Sequence, residues 1–387
     1  LMGENYFRRS MYAESLECYR KVLRNTNDFF LKTRVELSTA FICRIMGKTE
    51  ESEAHLTVAG DLIRENEKGE LPLLRARYYT RLADFESAND STENSIRHYE
   101  MAIDLFRNCG DMAGEAMVLN NMHWIYSQTG DYEKSLETLE EVVKIDREID
   151  EALGIAIAYY NIAETNMEMD RLDEAEEYYR LYLELSEQID NDLGEGYGKF
   201  GLGYLQMKRG DLLSAERFFA ESSEIFGRLG GKEMETVARI ALIALYLKDD
   251  RIDDARRTLE SLDQGSFSTT VQNSIHFMRG LVECKSSCSE DEGALERAVS
   301  HFRSSVGDPE HCNRIEIAER YTALAGVLAL QGREEQRLEA LTEGSGILGK
   351  KLQMVLPRFR KMISSRDEIC SFMELCSEAG VPVIYAD

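Results

Sequence analysis

A chain of 387 residues with 71 acidic and 46 basic side chains has a formal net charge of −25. That balance lacks the concentrated positive face that nucleic acid or an anionic membrane requires, so neither is an expected partner. Apolar residues make up 43% and only four prolines interrupt the chain, which favours an all-helical protein with a continuous core. No apolar run reaches the length of a membrane span, and the first residues show no signal-peptide pattern. The eight cysteines (18, 43, 109, 284, 288, 312, 370 and 376) are scattered. They fit reduced thiols in a cytoplasmic protein better than a disulfide framework.

The chain opens as LMGENYFRRSMYAESLECYRKVL, the tail of one helix followed by a second amphipathic one. An array of helical pairs that starts on half a pair leaves an apolar face without a neighbour. The expectation is therefore a fragment of a longer protein whose preceding part carries an enzyme or a switch. Helical periodicity then predicts first helices over 29–46, 70–88, 112–128, 151–168, 192–208, 232–248, 270–286 and 313–330. Second helices are predicted to start near Tyr12, Thr49, Thr92, Asp131, Leu172, Leu212, Ile252, Ala294 and Arg333, giving eight full pairs after the leading half. Turn residues Asp90, Gly130, Asp170, Gly210 and Asp250 form a forty-residue ladder, and Ser95, Ser135, Ala175, Ala215 and Ala255 lie five residues past each rung. A fixed period of this length means stacked helical pairs. Before the turns, large–small neighbours repeat as Leu82-Ala83, Met122-His123, Ile162-Ala163, Leu202-Gly203, Leu242-Ile243 and Leu324-Ala325. Small residues there let helices approach closely. Asp263–Thr270 and the acidic Ser286–Gly293 break the period around one irregular repeat. The domain reading is a regular array over 1–262, irregular repeats over 263–345, and capping helices with a tail over 346–387.

These residues resemble the tetratricopeptide repeat. Gly130-Asp131-Tyr132 followed by Ser135 fits that pattern closely, as do Asn161-Ile162-Ala163, Asp170-Arg171-Leu172 and Ala175. The resemblance covers residues 5–345 and is strongest over 80–260. The family's usual period is about 34 residues with a closing proline, and here the period is forty without it. Six extra residues amount to about 9 Å of helix. The longer period resembles a subclass found in kinesin light chains, cell-polarity adaptors and regulatory ATPase sensors. It implies an all-α, right-handed superhelical solenoid of antiparallel helix pairs, whose first helices line a concave groove for a peptide or protein segment.

On that geometry the groove walls are Arg34, Leu37, Phe41 and Arg44; Arg77, Thr80 and Asp84; Met117, Asn120 and Trp124; Ile157, Tyr160 and Glu164; Tyr197, Phe200 and Tyr204; and Val237, Ile240 and Ala244. Aromatic residues with a polar edge carry much of the energy of peptide interfaces, although the same residues also serve as packing between helices. Arg34, Arg44 and Arg77 would make the N-terminal end the anion-preferring one, or else form a solvated face. The paired lysines of repeat proteins that clamp chaperone C-termini are missing, so that activity is not implied.

Other motifs read as structure. Gly196-x-Gly198-x-x-Gly201 fits the dinucleotide fingerprint literally, but no strand precedes it and the glycines fall inside a helix. There they either soften the helix or permit tight packing, and packing is the favoured reading. Gly47-Lys48-Thr49 is an inter-helix turn rather than a phosphate loop. Cys284 and Cys288 with His301, His311 and Cys312 lack the short paired spacing of a zinc site. No metal, cofactor or catalytic arrangement is expected. Between Gly344 and Arg366 the chain holds six basic residues (Lys350, Lys351, Arg358, Arg360, Lys361 and Arg366) and no acidic one, with Pro357 as a kink. This stretch reads as a capping helix, or alternatively as a basic amphipathic binding helix. The expectation is a non-catalytic interaction module of a larger signalling or regulatory protein. The alternative is a ligand- or signal-peptide-sensing domain in intramolecular contact with an N-terminal ATPase or cyclase.

Overall fold

A computed structural model describes residues 5–7, 11–66, 71–89, 91–262, 265, 267–286, 291–307, 314–353 and 367–382. Among them are eighteen helices and no strand. In order these are α1 (Tyr12–Asn25), α2 (Phe29–Ile45), α3 (Thr49–Glu65), α4 (Pro72–Ala88), α5 (Thr92–Cys109), α6 (Met112–Gln128), α7 (Tyr132–Glu148), α8 (Ala152–Glu168) and α9 (Leu172–Gln188). They continue as α10 (Asp192–Arg209), α11 (Leu212–Arg228), α12 (Lys232–Lys248), α13 (Ile252–Glu260), α14 (Thr269–Ser286), α15 (Glu292–Ser305), α16 (Arg314–Leu330), α17 (Glu334–Gln353) and α18 (Asp367–Glu378). After α1, the helices from α2 to α17 make eight consecutive pairs, each boundary within two residues of its expected place. The fold is all-α, a tetratricopeptide-like helical repeat. Contacts divide the chain into two compact units, 1–127 with 133–158 and 128–132 with 159–387.

The regular spacing has a backbone cause. Gly110, Gly130, Asp150, Asp170, Asp190, Gly210, Gly230 and Asp250 all have positive φ. A left-handed residue therefore ends every helix from α5 to α12, at twenty-residue intervals. The chain reverses there by a six-residue hydrogen-bonded loop, as in Glu151 N to Asp146 O (2.8 Å), Arg171 N to Asn166 O (2.9 Å) and Arg251 N to Tyr246 O (2.8 Å). Glycine adopts this conformation freely, and aspartate tolerates it better than most residues. The forty-residue ladder is thus every second rung of a finer one, because both helices of a pair have nearly the same length.

Packing follows the small–large pattern. Ser95, Ser135, Ala175, Ala215 and Ala255 are completely buried. Ser95 Oγ donates to the Ala83 carbonyl at 2.8 Å, a tie that Ser52 repeats to Ala40 at the same distance. The glycines of α10 are notches rather than weak points. A Cβ on Gly201 would lie 2.3 Å from the Tyr179 ring, on Gly203 2.6 Å from Phe219, and on Gly196 2.8 Å from Phe226. In the second unit, Arg209 pairs with Asp173 (2.5 Å) and with Glu176, and Arg251 pairs with Glu216 (2.6 Å). No helix is long and apolar enough to cross a membrane among the described residues.

α13 departs from the pattern, with nine residues where the second helices from α7 to α11 have seventeen. Beyond the irregular repeat, α18 lays Ile369, Phe372 and Met373 onto α16, with the Phe372 ring 6.5 Å from that of Tyr321. α18 thus covers the apolar face of the last pair. The basic stretch past Gln353, including Pro357, Arg358, Arg360, Lys361 and Arg366, lies outside the described residues.

Candidate functional site: the accessible face of the first helices

In the first unit, α2, α4 and α6 enclose a cavity of about 400 Å³ lined by Arg34, Leu37, Ser38, Arg77, Thr80, Arg81 and Met117, with Phe106, Asp111, Ala113 and Gly114 at its far side. Five of these were expected as wall residues. Arg77 is exposed and makes no ion pair within 4 Å among the described residues. Met117 offers 45% of its surface. Arg81 is held by buried Asp84 at 2.8 Å. Asp84 also accepts from the Tyr99 hydroxyl (2.6 Å) and from Asn121 Nδ2 (3.4 Å). Burial, then the Asp84 charge, drives the Tyr99 hydroxyl far above the usual phenol range.

Phe41 and Arg44 are placed differently from Arg34 and Arg77. The Phe41 ring lies between two guanidiniums, with Arg81 at 3.9 Å and Arg44 at 5.1 Å from its centroid. Both residues are half-buried and neither lines the cavity, so of the three expected arginines only Arg34 and Arg77 face it. Trp124, two turns past Met117 on α6, is 58% exposed and Asn120 is half-buried. Neither lines the cavity.

In the second unit the expected residues fall into two aromatic groups. Tyr160 packs against Tyr182 (5.2 Å), Tyr179 (5.9 Å) and Tyr197 (6.2 Å), and Tyr197 sits edge-on to Phe226 (5.2 Å). Phe200 meets Tyr204 (5.0 Å) and Phe219 (5.8 Å), and Tyr204 also meets Phe219 (5.1 Å). Inner edges therefore belong to the core, while Tyr204 keeps 38% of its surface open. Glu164 accepts a hydrogen bond from the Tyr179 hydroxyl. Burial raises its carboxyl above the usual range, and the tyrosine hydroxyls partly offset that rise. Burial likewise pushes the Tyr204 hydroxyl up to about 12, with Glu164, Glu316 and Glu319 adding to it. Tyr204, Glu164 and Glu319 touch solvent yet are heavily desolvated.

Glu316 and Glu319 of α16 were not anticipated. Glu319 stands five residues before Leu324, as Arg77 stands five before Leu82. The wall register would have found it once the irregular repeat was stepped over. Burial raises the Glu319 carboxyl to about 7, with help from Glu368 and Glu316 and against Arg320. Arg81, Ser38 and Asp111 were also missed, since they flank the wall rows instead of lying on them. No group of three or more metal-ligating side chains occurs among the described residues. Cys288, His311 and Cys312 of the zinc reading lie outside them.

Helix pairs with an open first-helix face define a helical-repeat scaffold. Models of the tetratricopeptide repeat match residues 74–148 and 156–189. Among solved structures the chain is similar to the apo form of RapI, at 12% identity and TM-score 0.64, covering 94% of this chain and 97% of that one. It is similar to the apo form of the quorum sensor NprR from B. thuringiensis, at 14% identity and TM-score 0.60, covering 90% and 97%. A Rap protein complexed with Competence and Sporulation Factor is similar at 14% identity and TM-score 0.54, covering 98% and 96%. At these identities the likeness is one of fold. No curated protein matches the sequence.

Proposed function

We propose that this chain is a non-catalytic, cytoplasmic interaction module that binds a peptide or protein segment along the accessible face of its first helices. The observation that carries the reading is the pattern of exposure. Arg77, Met117 and Ile157 stay open on one forty-residue row, and Trp124, Glu164 and Tyr204 on another, while Ala76, Ala116 and Ala156 beside the first row are buried. Within each unit, large side chains held open in register form a surface that a chain segment can follow, and exposed Trp, Tyr and Arg are the residue types that dominate such interfaces. Arg34 and Arg77 give the first unit's cavity a preference for acidic side chains or a terminal carboxylate.

A second reading is a sensor of a signal peptide or other ligand that controls a domain N-terminal to Leu1. The likeness of fold to a quorum sensor favours it. Selection of binders from a random displayed peptide library tests both. Recovered sequences should bind the purified chain, and Trp124→Ala or Tyr204→Ala should weaken them by about 2 kcal/mol or more. Binders indifferent to both substitutions would end the first-helix reading.

A further inference from the structure

The shortened α13 has a second consequence. Where a full-length second helix would fill the space beside α14, the chain turns away at Ser261 and Leu262. A cavity of about 500 Å³ opens between α13, α14 and α15. That volume is within the range of small-molecule sites. Its walls combine three apolar side chains, Leu259, Leu262 and Val282, with Arg256, Arg279 and His301 and with Glu260, Glu283 and Ser286. Behind His301 stands His276, the two Nδ1 atoms 3.4 Å apart. None of these residues belongs to the rows used in the proposed function.

Arg279 is half-buried and makes no ion pair within 4 Å among the described residues. Arg256 reaches Asp253 only at 4.0 Å, and the nearest wall carboxylate to Arg279 in sequence, Glu283, is taken by Arg297 at 3.0 Å. The charged groups that line the cavity or act on the histidines are Arg256 and Glu260 from α13, Arg279 and Glu283 from α14, and Arg297 from α15. Arg320 of α16 also comes close, donating to Ser274 Oγ at 3.2 Å. Arg320 is paired with Glu316 at 3.8 Å, which leaves three arginines against two carboxylates around the imidazole pair. Both imidazoles are held below their ordinary range, chiefly by burial and then by the Arg279 charge.

We propose that this cavity binds a small phosphate monoester, its oxygens held by the guanidiniums of Arg256 and Arg279 and by His301 with His276 behind it, its organic part against Leu259, Leu262 and Val282. Guanidinium forks suit phosphate geometry, and an apolar wall at one side gives the organic group a place. A bound dianion offsets the Arg279 charge and favours the protonated imidazole, so binding of the dianion raises the imidazole midpoints.

The test follows the imidazole Cε1 protons of the chain by NMR, with inorganic phosphate as the probe at up to about 10 mM, where even a millimolar site is mostly filled. The titration midpoints of His276 and His301 should rise on adding phosphate, while that of buried His123 stays where it is. Arg279→Gln should weaken phosphate binding about tenfold or more. Without phosphate the amide spectrum of the variant should overlay that of the parent outside α13–α15, and its histidine protons should keep their folded chemical shifts, which shows that the pocket is still folded. Phenyl phosphate should bind more tightly than inorganic phosphate. Midpoints of His276 and His301 that ignore phosphate would overturn the site, as would an Arg279→Gln variant that binds phosphate like the parent. Equal affinity for the two probes would overturn the role given to the apolar wall.

Discussion

The accessible faces of the two units are built from the same helix positions, forty residues apart, yet they are chemically unlike. In the first, the wall row carries Arg77 and then Met117, and α2, α4 and α6 leave a cavity with arginines at its edge. In the second, Tyr160, Tyr197, Phe200 and Tyr204 occupy equivalent positions and lean on one another and on Tyr179, Phe219 and Phe226. The difference lies in backbone bulk. Glycines in α10 let second-helix rings push in from behind, so the second unit's wall is backed by a solid aromatic core. No such run of glycines underlies α4. Its wall is supported instead by the Asp84 network with Arg81, Tyr99 and Asn121. One repeat can thus present either a rigid aromatic surface or an open charged one, depending on what fills the space behind the wall.

The largest expected effect falls on the aromatic side. Phe219 is fully buried beneath Phe200 and Tyr204. Phe219→Ala should cost about 4 kcal/mol in denaturant unfolding. A loss near that of a surface substitution would show that the wall does not depend on its aromatic backing.

Next comes a pH effect confined to the first unit. His123 occupies the place that Ala83 and Gly203 hold in neighbouring registers, and burial lowers its pKa from 6.5 to about 4. Above 6.5 neither folded nor unfolded chain binds the proton there, so His123 contributes nothing to the pH dependence. As pH falls from 6.5 towards 4 the unfolded chain takes up a proton that the folded one refuses. Stability should drop by roughly 3 kcal/mol across that window and level off below it. Hydrogen exchange at pH 7 and pH 4.5 should show the loss in α6 and α7 first.

Gly201→Ala sharpens the notch argument. Its Cβ would meet the buried Tyr179 ring at 2.3 Å, so the variant should lose about 2 kcal/mol despite the better helix propensity of alanine. Gly326→Ala in α16, with nothing within 4 Å of its Cβ, should gain about 1 kcal/mol instead. Opposite signs for the two are the expected calorimetric result, and equal signs would remove the notch account.

The smallest effect concerns the open side. Arg77→Glu should weaken an acidic peptide by about 1 kcal/mol at low salt and by less at high salt, read by titration calorimetry. The same substitution should leave a binder that depends on Tyr204 unchanged.

The repeat unit was legible in the residues because it rests on local chemistry. Turn glycines and aspartates must adopt positive φ, and small residues must face large ones, so both recur at fixed spacing and set the helix ends to within two residues. The wall rows followed from the same register. That register did not say which members would be left open, because exposure depends on neighbours from other helices. Arg81 stacks on Phe41 beside Arg44, and the charge of Glu319, from a helix more than a hundred residues away, adds to the rise of the Tyr204 hydroxyl. The cavity beside α13 likewise needed tertiary structure: periodicity marks where a helix stops, but only the packed chain shows what space its absence leaves. Sequence alone determined period and pairing, since those are local steric requirements. Burial and charge environment were decided by the fold, since each sums contributions from elements far apart in the chain.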